Sequence, residues 1–241
     1  MSQWENERIK AMLRDIWKTE DTYQEQIAEY KKKDGYMAVT IWLLLMVLYY
    51  LMGQLYAREG VYIGTIVNII LAILCVSLVF VRKEKISSIG FNKNNVVKSI
   101  ITGSILGLLI VAFNILLNLI QGRTFAPLQN IIINLVYYMV VISLVEEIIF
   151  RGYIQTRLYG LVKRPMIARI LGALFFMLMH IPFQMGYANM ELVAYVQMNW
   201  ITLVFTFAWH MVFDFLYRKY NAIYAPTIFH GFMNWSNYLF L

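Results

Sequence analysis

Charge is scarce in this chain. Lysine, arginine, aspartate and glutamate make up 15% of its 241 residues, against roughly 25% in an ordinary soluble domain. With 60% apolar residues and a mean hydropathy of +0.59, that shortfall excludes a soluble globule and a disordered chain. Cysteine is nearly absent. The single Cys75 lies in an apolar run at 71–80 and has no partner for an internal bridge, which excludes a disulfide scaffold. Histidine occurs only three times. No internal repeat or low-complexity tract is visible. No signal peptide is expected either, because the first 35 residues carry seven Lys/Arg and eight Asp/Glu without an apolar stretch.

What is present is a series of long apolar runs. A hydrocarbon core about 30 Å thick takes roughly 20 apolar residues per crossing helix. Seven runs of that kind stand at 36–56, 61–81, 97–120, 129–156, 166–183, 192–217 and 221–240. The fold expected is therefore all-α, a polytopic membrane bundle of about seven transmembrane helices. Residues 1–35 precede it as a cytoplasmic amphipathic or coiled helix, marked by Ile9, Leu13, Ile16, Tyr23, Ile27 and Tyr30 at steps of three and four. Residues 36–128 form the N-terminal helices and 129–241 a distinct C-terminal core. Gly103 and Gly107 make a small-xxx-small pair suited to close helix packing.

Basic residues fall in alternate loops. Nineteen of the 21 lysines and arginines lie on one side, leaving Arg58 and Arg123 on the other. By the positive-inside rule the N-terminus is cytoplasmic. The net charge of +7 is explained by this asymmetry, so it calls for no nucleic-acid partner.

Ionisable side chains inside the hydrocarbon region are costly and mark function. Those found are Glu146, Glu147, Arg151, His180, His210, Asp214 and His230, with the amide of Asn234 one turn beyond His230. Glu146, His180 and His230 each stand eleven residues from a basic residue (Arg157, Arg169 and Lys219). At about 1.5 Å per helical residue, the three share a depth of about 16 Å. Glu147 and Arg151, at i and i+4, are placed to pair. Glu146 points away from them and has no basic neighbour one turn on; an unpaired carboxylate in apolar surroundings is the kind of group that serves as a general base. Phe176, one turn before His180, would pack beneath its ring. His230 and Asn234 share a face and suit donation to a developing oxyanion. His210 and Asp214, also at i and i+4, form an extra polar pair read as structural.

Three motifs in order, Glu146-Glu147-x-x-x-Arg151, Phe176-x-x-x-His180 and His230-x-x-x-Asn234, resemble those of the CPBP family, also called ABI. That family groups CAAX prenyl endopeptidases with bacteriocin-processing and immunity proteins. The local runs EEIIFRGY and APTIFHGFMN agree with it, and the resemblance covers roughly residues 130–240. It implies an intramembrane glutamate-type endopeptidase. Glu146 would activate water, His180 would position it, and His230 and Asn234 would stabilise the oxyanion. Glu147, Arg151 and Phe176 would support the site.

Other protease chemistries fit less well. Ser143 is the only serine near the depth of the site, and its neighbours are apolar. Asp214 is the only membrane aspartate, so a shared-proton aspartate pair is missing. No His-Glu-x-x-His pattern follows any histidine. Metal-free chemistry is the expectation, with zinc on Glu146, His180 and His230 as the alternative. The expected partners are the lipid bilayer and a membrane-associated peptide or protein substrate, in a bacterial plasma membrane. A non-catalytic reading, a bacteriocin-immunity or peptide-binding membrane protein using the same cavity, stands beside the enzymatic one.

Overall fold

The computed structural model describes residues 18–241. The early part of the N-terminal stripe, Ile9, Leu13 and Ile16, lies outside the described residues. Eight helices follow in order: α1 (Asp21–Glu29), α2 (Lys32–Glu59), α3 (Gly64–Val81), α4 (Val96–Ile120), α5 (Leu128–Leu158), α6 (Pro165–Ala188), α7 (Leu192–Tyr220) and α8 (Tyr224–Ser236). No strand occurs among the described residues. Helices α2 to α7 are each long and apolar enough to cross a membrane. Their outward faces expose Leu44, Val47, Ile70, Ile73, Leu109 and Phe113, as a lipid-facing surface requires.

The seventh expected run, 221–240, is not among these six spans. Helix α8 has 13 residues, about 20 Å at 1.5 Å per residue, too short for a 30 Å core. Past it the chain turns at 237–239, and Ala126 N–H donates to Leu239 O and Leu241 N–H to Thr124 O, each at 2.9 Å. This ties the C-terminus to the α4–α5 loop. The helix is seated by small residues. A Cβ on Gly103 would lie 2.6 Å from the carbonyl oxygen of Ala225, and one on Gly107 would meet the Phe232 ring. The small-xxx-small pair thus lets α4 touch the backbone of the helix that carries His230.

A second close approach locks α2 to α6. A Cβ on Gly53 would meet the Phe183 carbonyl oxygen, and one on Gly186 that of Tyr50. Trp42 stacks on Phe175 at 4.2 Å and donates from Nε1 to the Phe175 carbonyl at 2.9 Å.

Helix α5 departs from the regular pattern. Its bonding widens to i→i+5 over Tyr137–Leu144 and again over Ile148–Gln155, with the α-helical turn Val145–Glu147 between them. Such widened turns are rare and concentrate at functional sites. They also rise less per residue than an α-helix, so a depth counted from Arg157 with the α-helical rise is too large.

At the basic end, α1 lies across the bundle as a strap. Tyr23 is fully buried, edge-on to Tyr159 at 6.2 Å and to Tyr217 at 6.0 Å. Glu20 N–H donates to Arg218 O at 3.0 Å, and Arg218 Nη1 donates to Thr19 Oγ1 at 2.8 Å. Nearby, Arg157 is buried against Glu84 and Ser88 rather than extended towards the membrane edge. Arg82 pairs with Asp34 and Glu84.

Candidate active site

Glu146 and Glu147 occupy the short α-helical turn between the two widened stretches of α5. Adjacent positions on a helix face different directions, and here the two carboxylates differ in surroundings as well. Glu147 is fully buried, whereas the Glu146 side chain keeps 14% of its surface.

Glu147 is the hub. Its Oε1 lies 3.1 Å from Arg151 Nη1, the pairing the i, i+4 spacing predicts, and 2.9 Å from Nδ1 of His230 on α8. With Glu147 ionised, Nδ1–H donates to it and the other ring nitrogen turns towards Glu146, with Nε2 at 3.9 Å from Oε2. The His230 ring is clamped from the side by Phe213 of α7, stacked at 4.6 Å. Arg151 lies between two rings, 4.2 Å from the Phe176 centroid and 4.8 Å from that of Phe213. These contacts offset part of the cost of burying a guanidinium.

His180 on α6 is held by its own helix. Nδ1 stands 2.8 Å from the Phe176 carbonyl oxygen, which can only accept, so Nδ1 carries the proton and Nε2 is left as an acceptor. The Phe176 ring packs edge-on to the imidazole at 5.0 Å. His180 lies within electrostatic reach of both Glu146 and His230. Asn234 is half-buried, one turn along α8 from His230, and its side chain makes no hydrogen bond among the described residues. The structure therefore brings Glu146, His180 and His230 to one place, with Glu147, Arg151 and Phe176 packed directly behind them.

The pairing of His210 with Asp214 is not found. Asp214 Oδ2 takes a hydrogen bond from Arg218 Nε at 2.7 Å, one turn towards the basic end. His210 Nε2 instead lies 3.2 Å from Gln155 Oε1, whose amide donates to the Ala168 carbonyl. A stronger cationic partner one turn on for Asp214, and an amide on α5 for His210, decide against the i, i+4 pair. Both residues sit behind the site.

Other residues near Glu146 escaped the search for ionisable groups. Tyr49 of α2 and Tyr62 of the α2–α3 loop lie within its electrostatic reach. Tyr49 donates to Asn68 Oδ1 at 2.7 Å, and Asn68 is a buried amide on α3. Extending that search to every amide in the spans, rather than to the one beside His230, would have found Asn68. Among the described residues, no three His, Cys, Asp or Glu side chains stand close enough together to hold one ion.

Residues 128–236 match the family model described as type II CAAX prenyl endopeptidase Rce1-like. This segment contains every residue of the site just described except those contributed by α2, α3 and the loop between them. No curated protein and no solved structure matches the chain.

Proposed function

We propose that this chain, whose residues 128–236 belong to the Rce1-like CAAX prenyl endopeptidase family, hydrolyses peptide bonds inside the membrane with Glu146 as general base. The family is one of CAAX-type intramembrane proteases, so a membrane-associated peptide or protein is the substrate class. The observation that supports the mechanism is the division of labour between adjacent carboxylates. Glu147 is consumed in holding Arg151 and His230, and Glu146 alone has an accessible edge facing the two imidazoles.

In this reading a water lies against the Glu146 carboxylate and donates its second hydrogen to His180 Nε2, the nitrogen left unprotonated by the Phe176 contact. Glu146 takes the first proton as the water oxygen attacks the scissile carbonyl carbon. The carbonyl π-bond opens to an oxyanion, which accepts from the Asn234 amide and from His230 Nε2–H. Donation from Nε2 requires the ring to be protonated at both nitrogens. Collapse of the tetrahedral intermediate breaks the C–N bond, and Glu146 returns its proton to the leaving amine.

The reading needs no metal. Multi-pass insertion with the basic loops in the cytoplasm of a bacterial plasma membrane completes it.

The test is purified protein in detergent with a library of membrane-active peptides, compared with Glu146→Gln, each with and without chelator and added zinc. Glu146→Gln is expected to lower cleavage by about 10²- to 10⁴-fold, the share of general acid–base catalysis, and chelator to leave the wild type unchanged. Cleavage at wild-type rate by Glu146→Gln would overturn the mechanism. Loss of cleavage in chelator restored by zinc would replace it with metal-assisted hydrolysis.

A further inference from the structure

The two halves of α5 differ in burial, and Glu146 stands at the change. No residue of 128–142 is buried, whereas every residue of 147–160 is. Between Glu146 and the basic end the bundle is closed in successive layers. Arg151 fills the space between Phe176 and Phe213. The next layer holds Gln155 against His210. Below it Arg157 packs over the Tyr153 ring at 4.2 Å and pairs with Glu84. Tyr23 of α1, wedged between Tyr159 and Tyr217, closes the base.

Towards the opposite end the arrangement reverses. Asn234 lies on that side of His230, half-buried and with no side-chain hydrogen bond among the described residues. Tyr62, in the loop at that end, is 50% exposed yet within electrostatic reach of Glu146. A rim of rings surrounds it: Tyr56 at 5.9 Å and Phe183 at 5.7 Å from Tyr62, with Tyr137 nearby holding Thr65 at 3.0 Å. Tyrosine, apolar in body and polar at the tip, suits a membrane–water boundary.

We infer that the site opens towards the membrane face opposite the basic loops, and that its substrate is a peptide bond presented in that half of the bilayer. The positive-inside rule makes that face the non-cytoplasmic one. The inference rests on the proposed hydrolysis for what is cut, but concerns only the side from which the site is reached. A lipidated terminus held in the leaflet on the basic side would meet the closed floor of Arg151, Phe176 and Phe213. A segment anchored in the far leaflet, or arriving from solution on that side, meets Asn234, His180 and Glu146.

The test is labelling of single introduced cysteines with a membrane-impermeant maleimide, applied to intact cells and to inside-out vesicles. Lys93→Cys, exposed in the loop after α3, marks the basic face. The native Cys75 is buried and sets the background. Asn234→Cys is expected to react at least roughly tenfold faster from the face opposite to the one that labels Lys93→Cys, because only a water-exposed thiol reacts at speed. Tyr62→Cys should follow it. His180→Cys, read in the same way, keeps the test decisive if Asn234→Cys protein does not accumulate. Reaction of the site cysteine from the Lys93 face, or from neither face, would overturn the inference. Labelling requires no turnover, so its outcome is independent of whether Glu146→Gln abolishes cleavage.

Discussion

Nδ1 of His230 lies 2.9 Å from Oε1 of Glu147, an oxygen that also stands 3.1 Å from Arg151 Nη1. One buried carboxylate therefore orients a ring on α8 and neutralises a guanidinium on its own helix.

Glu147→Gln keeps the shape and removes the charge. Cleavage is expected to fall by roughly 10²- to 10⁴-fold, the range seen when an imidazole loses the carboxylate that orients it. The thermal midpoint should fall as well, because Arg151 is left buried and unpaired at a cost of about 3–5 kcal/mol. The double change Glu147→Gln with Arg151→Met should recover the midpoint and not the activity. A midpoint that stays low in the double variant would show that the ion pair is not what the single change disturbs.

Phe176→Leu separates the two services of that residue. The main-chain carbonyl that holds His180 survives, while the ring over Arg151 is lost. The expected outcome is a stability loss of about 1–2 kcal/mol from the missing cation–π contact with activity within roughly tenfold of wild type. A collapse of kcat with an unchanged midpoint would place the ring itself at the reacting atoms.

Gly172→Ala tests the layer behind the site. An added methyl would run into Gln155 Oε1 and stand 3.2 Å from His210 Nε2. Displacing Gln155 is expected to cost about 1–3 kcal/mol, as overpacking does. Gln155→Ala in the same protein should relieve part of it. Differential scanning of the purified variants reads both, and equal midpoints for Gly172→Ala and wild type would mean that Gln155 moves freely.

Gly103→Val pushes α4 away from the Ala225 backbone, where even a Cβ would stand 2.6 Å from the carbonyl oxygen. Because α8 carries both His230 and Asn234, activity is expected to fall more steeply than stability, which should drop by about 1–3 kcal/mol. Parallel measurement of turnover and midpoint checks the ratio. Equal proportional losses would make Gly103 a purely structural contact.

Much of the site was legible before any coordinates, for an identifiable reason. Lipid tolerates so few ionisable groups that Glu146, Glu147, Arg151, His180 and His230 stand out against an apolar background. The Glu147–Arg151 pair follows from spacing on one helix. The same spacing argument misled at His210 and Asp214, where neighbours from other positions, Gln155 and Arg218, took each partner. Asn68 and Tyr49 were passed over because neither bears a charge at neutral pH.

Composition and pattern by themselves determined that this is a helical membrane bundle, that its basic loops share one side, and which ionisable side chains fall within its apolar runs. Those are consequences of local chemistry: one residue's transfer energy, or two residues one turn apart. Only the tertiary structure decided that Glu147 rather than Glu146 grips His230, that α5 widens on both sides of the carboxylates, and that burial changes abruptly at their level. Each of these depends on how α8 and α7 lie against α5, and such contacts join residues as far apart in the chain as 147 and 230.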